Sequence, residues 1–167
     1  MLTDINVQIT HLHLYFYRDI FYHKDINCFS FFDSSFIYFI INVYLDNHKL
    51  ALKYLKNTEV NINDIFIMTG NFNIRNRDWD SSYLYYLAHS DILTDVADSF
   101  KLILFFSIYQ VLTRYMDNSN DSNFVIDLIF LQPDSVKVDN HLILLELWYP
   151  SDHAPLTVDI SINEEFI

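Results

Sequence analysis

Glycine is nearly missing from this chain of 167 residues: there is one, Gly70, where ordinary composition would give about 7%. A protein with many loops but one glycine must place other residues in the strained backbone conformations that glycine usually takes. Cysteine is equally scarce. Cys28 stands alone, which excludes an internal disulfide framework and makes an intracellular home the simpler expectation. Positive charge is also short, with 10 Lys and Arg against 22 Asp and Glu, a net charge of −12. Tight, unassisted binding to nucleic acid rests on cations neutralising phosphates, so the charge alone argues against it. No start segment joins a basic region to a continuous apolar core, so no signal peptide is expected. The most apolar run, Phe29 to Leu45, is interrupted by Asp33, Ser34, Ser35 and Asn42. That falls short of the roughly 20 apolar residues that span a bilayer, and a buried strand with no membrane partner is the expectation. Abundant Asn, Ile, Phe and Tyr fill the remainder, a bias that nucleotide composition accounts for as well as function does.

A chain near this length forms one domain with a sizeable core, burying roughly 70% of its unfolded surface. Residues 1–30 mix His11, His13 and His23 with aromatics at no clean period, and neither helix nor strand is indicated. The three histidines have no carboxylate or cysteine at a recognised ligand spacing, so a partly ordered aromatic tail is the preferred reading. The main domain is expected over 31–163, with a short tail at 164–167. Phe36 to Leu45 reads as a buried strand ended by Asp46-Asn47, followed by a helix over His48 to Leu55 and a strand over Ile65 to Met68. Strand, helix, strand in that order indicates a crossover with parallel pairing. Ser90-Asp91 is expected to cap a helix running to about Phe100, whose apolar face carries Ile92, Leu93, Val96, Ala97 and Phe100. Further strands are expected at Leu102 to Phe106, Phe124 to Leu131, Leu142 to Trp148 and Pro155 to Ile162.

Two short stretches carry the chemistry. Thr69-Gly70-Asn71-Phe72-Asn73 follows the strand Ile65 to Met68, where glycine allows a sharp turn. Asn71 and Asn73 would share a face if the segment stays extended. Ser151-Asp152-His153-Ala154-Pro155 lies between Leu147-Trp148-Tyr149 and Leu156-Thr157-Val158, and an Asp beside a His at strand ends suits metal or proton chemistry.

With these stretches, Ile40-Ile41-Asn42-Val43-Tyr44, Asn73 to Asp80, Thr113-Arg114-Tyr115 and Ser122 to Phe130 follow in an order that resembles the endonuclease/exonuclease/phosphatase superfamily. Within it, the chain is most similar to the endonuclease domain of non-LTR retrotransposons, from about Phe36 onward. The resemblance implies an α/β fold, an incomplete four-layer sandwich of two packed mixed sheets flanked by helices. It implies Mg²⁺ (or Mn²⁺), DNA as partner and, for a retroelement, a nuclear location. His153 would stabilise charge on the phosphate or handle a proton, with Asp127 holding its ring. Asp152 would sit at the metal, Asn73 would donate to the phosphate, and Tyr44, Thr113 and Arg75 would bind substrate.

Two departures from the family pattern point to an impaired enzyme. The family motif GDFN reads Gly70-Asn71-Phe72-Asn73 here. An amide at 71 keeps the geometry of the water-orienting aspartate but cannot accept a proton at neutral pH. The family's N-terminal half, with its metal-binding Glu, has no match, so the chain is expected to begin after it or to carry unrelated sequence there. A non-catalytic remnant that binds nucleic acid or protein is the second reading. A phosphatase acting on small or lipid-linked phosphates, suited to an acidic surface, is the third. Residue by residue, the competing structural readings are an exposed loop pair for Asp152-His153, strand packing for Tyr44 and Thr113, a solvated loop for Arg75 and Arg77, and core packing for Trp79.

Overall fold

The computed structural model describes residues 26–32, 37–44, 48–59, 64–80, 83, 88–105, 125–143, 153 and 156–162. The elements are β1 (Ile26–Phe32), β2 (Ile37–Tyr44), α1 (His48–Lys56), β3 (Ile65–Asn71), α2 (Ala88–Ser99), β4 (Ile103–Leu104), β5 (Asp127–Leu131), β6 (Val136–Ile143) and β7 (Leu156–Ile162). Five strands form a mixed sheet in the order β1-β2-β3-β5-β4, and β6 and β7 pair as a second sheet. The β2–α1–β3 crossover pairs its strands in parallel, as the alternation of patterns indicated.

Side-chain alternation splits the larger sheet into two faces. Phe39, Ile41 and Val43 of β2, Phe66 and Met68 of β3, and Leu128 and Phe130 of β5 point to one side. There they pack on Leu52 and Leu55 of α1 and Leu93, Val96 and Ala97 of α2. Phe66 joins these layers through rings, stacked on Phe39 and edge-on to Phe100, each with centroids 5.0 Å apart. The opposite face offers Tyr38, Ile40, Ile65, Ile67, Ile129 and Leu131 to Val136 and Val138 of β6 and Val158 of β7. Helices, mixed sheet and second sheet therefore stack as layers of the α/β sandwich that the resemblance implied. Among the described residues, no helix covers the outer side of the second sheet and no helix is long and apolar enough to cross a membrane.

Several boundaries differ from the sequence reading. Ile26–Phe32 is a strand, antiparallel to β2, although the first thirty residues gave no clear period. The apolar run through Leu45 is thus two strands, with Asp33, Ser34 and Ser35 falling between them in sequence and Asn42 within β2. β6 begins at Val136 rather than Leu142, and residues 144–150 lie outside the described ones. Its first half alternates buried Val136 and half-buried Val138 with exposed Lys137 and Asp139, a half-buried strand signal masked by the local charge. Gln132 closes the tight turn before it, accepting from the Val136 N–H at 2.9 Å. The Gln132 side chain also accepts from Phe66 N–H at 2.9 Å and donates to the Phe100 carbonyl at 3.1 Å, tying β5 to β3 and to the end of α2.

α2 starts at Ala88, so Ser90 is fully buried within the first turn instead of capping it. The helix ends in a Schellman motif: Leu102 N–H donates to the Ala97 carbonyl at 2.8 Å and Lys101 N–H to that of Asp98 at 3.0 Å. The left-handed residue is Lys101, φ 55°, where glycine is usual. Gly70, φ 137°, is a different case. A Cβ there would lie 2.0 Å from the Val43 carbonyl oxygen and 2.8 Å from the Val43 nitrogen.

These two positions give opposite expectations. Lys101→Gly should raise unfolding stability by about 1 kcal/mol, because it relieves left-handed strain without losing a buried contact. Gly70→Ala should cost roughly 2–5 kcal/mol, since it adds both strain and a clash with backbone that cannot move alone. Urea denaturation of both variants checks the pair.

Candidate active site

On the sheet face turned toward β6 and β7, each central strand changes from apolar to polar at the same end. Along β2 the inward residues run Tyr38, Ile40, Asn42, Tyr44; along β3, Ile65, Ile67, Thr69, Asn71; along β5, read backwards, Leu131, Ile129, Asp127. Register places the polar ends in one row: Tyr44 is partnered with Asn71, and Asn71 with Asp127. Apolar residues at the other end bury the second sheet, so the row forms a rim where the two sheets part.

Gly70 sets the height of that rim. With no Cβ, it lets β3 lie against Val43 while the strand continues one more residue to Asn71. Beyond Asn71 the chain does not stay extended. Asn73 takes a left-handed φ of 49°, and its N–H donates to Asn71 Oδ1 at 2.9 Å. The two asparagines are brought together by an Asx-type turn, not by alternation along a strand. Phe72 N–H donates to the Ile126 carbonyl at 2.9 Å, and the Phe72 ring meets Phe130 edge-on, so the turn is anchored to the chain entering β5.

From the far side comes His153. Its Nδ1 lies 2.9 Å from Asp127 Oδ2, with both side chains mostly buried, 18% and 14% exposed. An ionised carboxylate only accepts, so with Asp127 as the acceptor the bond is donated by the ring's Nδ1–H. This fixes the imidazole in one orientation beside the asparagine turn.

The loop after the turn is a built structure. The Trp79 indole is buried and donates to the Ile74 carbonyl at 3.0 Å, a packing role. Asn76 is buried and accepts the Asp78 N–H on its side chain at 3.0 Å. Arg75 donates from Nε to buried Asp80 at 3.2 Å and lies over the Tyr83 ring, 4.4 Å from its centroid. Arg75 is thus engaged within its own loop, while Arg77 is exposed.

Of the residues singled out in the sequence, Asn71, Asn73, Asp127 and His153 converge, and Tyr44, about half exposed, borders them in register. Asp152 and Thr113 lie outside the described residues. The sequence reading passed over Thr69 and Asn42 as members of the rim. Their period-two place with Asn71 and Tyr44 was the available signal.

Magnesium takes a near-octahedral set of oxygens, usually with one or two carboxylates. Among the described residues no three His, Cys, Asp or Glu side chains gather. Asp127 is bound to His153, and the Asn71 oxygen to a main-chain N–H. The described donors therefore do not make a magnesium site by themselves.

A helix-backed mixed sheet packed on a second sheet, with a His–Asp pair at their common rim, defines an endonuclease/exonuclease/phosphatase-type domain. The family model described as "Endonuclease-reverse transcriptase" matches residues 38–157, and the chain belongs to that family. Members of the wider superfamily typically use divalent metals. A search of curated proteins finds no match. Among solved structures, the endonuclease domain of TRAS1, a telomere-specific non-LTR retrotransposon, aligns with TM-score 0.63 and 16% identity over 83% of this chain. A family protein from Leptotrichia buccalis C-1013-b gives 0.50 and 16% over 81%, and one from Beutenbergia cavernae DSM 12333 gives 0.53 and 16% over 83%. At such identities the likeness is one of fold. The chain spans 62%, 53% and 39% of the lengths of these three structures.

The Asp127–His153 bond has a spectroscopic consequence. In ¹⁵N spectra the neutral His153 ring should show the Nδ1–H tautomer, and Asp127→Ala should return it toward the Nε2–H form that free imidazole side chains favour. An unchanged tautomer in the variant would mean that Asp127 does not hold the ring.

Proposed function

We propose that this chain is an impaired phosphodiesterase domain of retroelement origin whose ancestral reaction is the nicking of DNA. The observation that supports it best is the meeting of Asn71, Asn73, Asp127 and His153 at one rim of the family fold. His153 stabilises negative charge gathering on the phosphate or handles a proton, and Asp127 keeps its ring in place. Asn73 and Tyr44 are the substrate-binding groups at this rim, with Thr113 and Asp152 completing phosphate and metal contacts from outside the described residues. Arg75 supports the loop through Asp80 and Tyr83, and its contact with substrate would be secondary. A divalent metal such as Mg²⁺ or Mn²⁺, when bound, neutralises charge on the phosphorus oxygens.

The impairment follows from Asn71. General-base assistance is typically worth about 10²–10⁴-fold in rate, and the Asn71 oxygen, already an acceptor for Asn73 N–H, cannot take a proton from water. The acidic composition adds to this, because a net charge of −12 weakens attraction to a polyanion and suits a small phosphate better.

Supercoiled plasmid nicking with Mg²⁺ and with chelator tests the proposal. The unmodified chain should nick slowly or not at all. Asn71→Asp should accelerate Mg²⁺-dependent nicking about 10²-fold or more, and His153→Ala in that background should abolish the gain. Family-like rates in the unmodified chain would refute impairment. Silence in both would favour a non-catalytic binding remnant, and phosphate release from inositol phosphates would favour the phosphatase reading.

A further inference from the structure

We infer that Asn71 makes this rim a receptor for phosphate oxygens that works through an amide N–H and needs no divalent ion. The phosphate class rests on the functional reading above; the donor itself rests on geometry. At ordinary precision the two ends of an asparagine amide are interchangeable, but here they are not, because a main-chain N–H can be accepted only by the oxygen. Asn73 N–H, at 2.9 Å, therefore fixes which end is Oδ1 and leaves Nδ2 as the other. Asn71 is only 5% exposed, and Nδ2 makes no hydrogen bond among the described residues. Nδ2 is not among the enclosed polar atoms that lack a partner, so it is a donor that a ligand at the rim can reach, and an acceptor there can take its hydrogen bond.

The rim around Nδ2 narrows the choice of ligand. The nearest carboxylate in register, Asp127, is bound to His153 and so is not a bare repelling charge. The described donors do not form a cation site. An aspartate at 71 would present a second anionic oxygen where Nδ2 stands, repelling a phosphate unless a cation lay between them. The amide reverses that sign, and a phosphate oxygen, an acceptor carrying negative charge, is the group it fits.

Titration of the ¹⁵N-labelled chain in chelator with inorganic phosphate, and separately with dimethyl phosphate, follows the Asn71 Nδ2 protons directly. Saturable shifts of those protons with either probe are expected, the tighter one indicating a terminal phosphate or an internal linkage. Asn71→Asp keeps the shape and the oxygen that accepts Asn73 N–H, so the turn should survive. It should nonetheless weaken metal-free binding about tenfold or more, the amount expected for replacing a charge-assisted hydrogen bond by repulsion. Absence of any saturable shift, binding only with Mg²⁺, or equal affinity in Asn71→Asp would each overturn the inference. The nicking assay fails or succeeds independently: rescue by the aspartate with no phosphate binding by the amide would sink this inference alone.

Discussion

The backbone of β3 approaches that of β2 so closely at Gly70 that no side chain fits between them, and the rest of the architecture depends on that contact. It holds the parallel register that sets Asn71 beside Tyr44, and the antiparallel register with β5 then sets Asp127 beside Asn71. Shifting β3 by one residue would turn its whole set of inward side chains to the opposite face. Ile65 and Ile67 would leave the second sheet, and Asn71 would face the helices. The chain's one glycine lies where backbone blocks every alternative, whereas at a helix end Lys101 takes a left-handed conformation where the penalty is tolerable.

The rim joins two kinds of polar group with different origins of order. Asp127 and His153 fix each other across the gap between sheets, so their geometry depends on docking of the second sheet. Asn71 and Asn73 fix each other locally, within one turn. An amide in place of a carboxylate leaves this local geometry standing while changing its charge, because one oxygen suffices for the main-chain bond. Under the proposed function, such a site keeps the shape of a phosphodiesterase without the means to activate water. The same substitution adds a donor to a position whose oxygen still accepts from Asn73 N–H.

Much of the architecture was legible because the two sheet faces are written in period two and the crossover alternates with a helical pattern. The β2–α1–β3 unit followed directly from Phe36 to Met68. Less legible was Val136 to Asp139, where charges on the solvent side hid two inward valines, and Ile26 to Phe32, whose sequence of mixed aromatic and polar residues has no clean period. Within the site, ordered motifs marked Asn71, Asn73, Asp127 and His153 as a set. Their mode of contact was not readable, since the left-handed turn at Asn73 depends on its particular backbone and not on spacing. Ser90 misled for a related reason: a residue with capping chemistry lies inside the helix and is itself fully buried.

The His–Asp pair spans 26 residues and the gap between two sheets, whereas β2, α1 and β3 follow one another directly. Loop closure makes contacts between neighbours in sequence quick to form and those between distant segments slow. The β2–α1–β3 unit can therefore form early, whereas the rim is complete only once β5 and the second sheet have joined it.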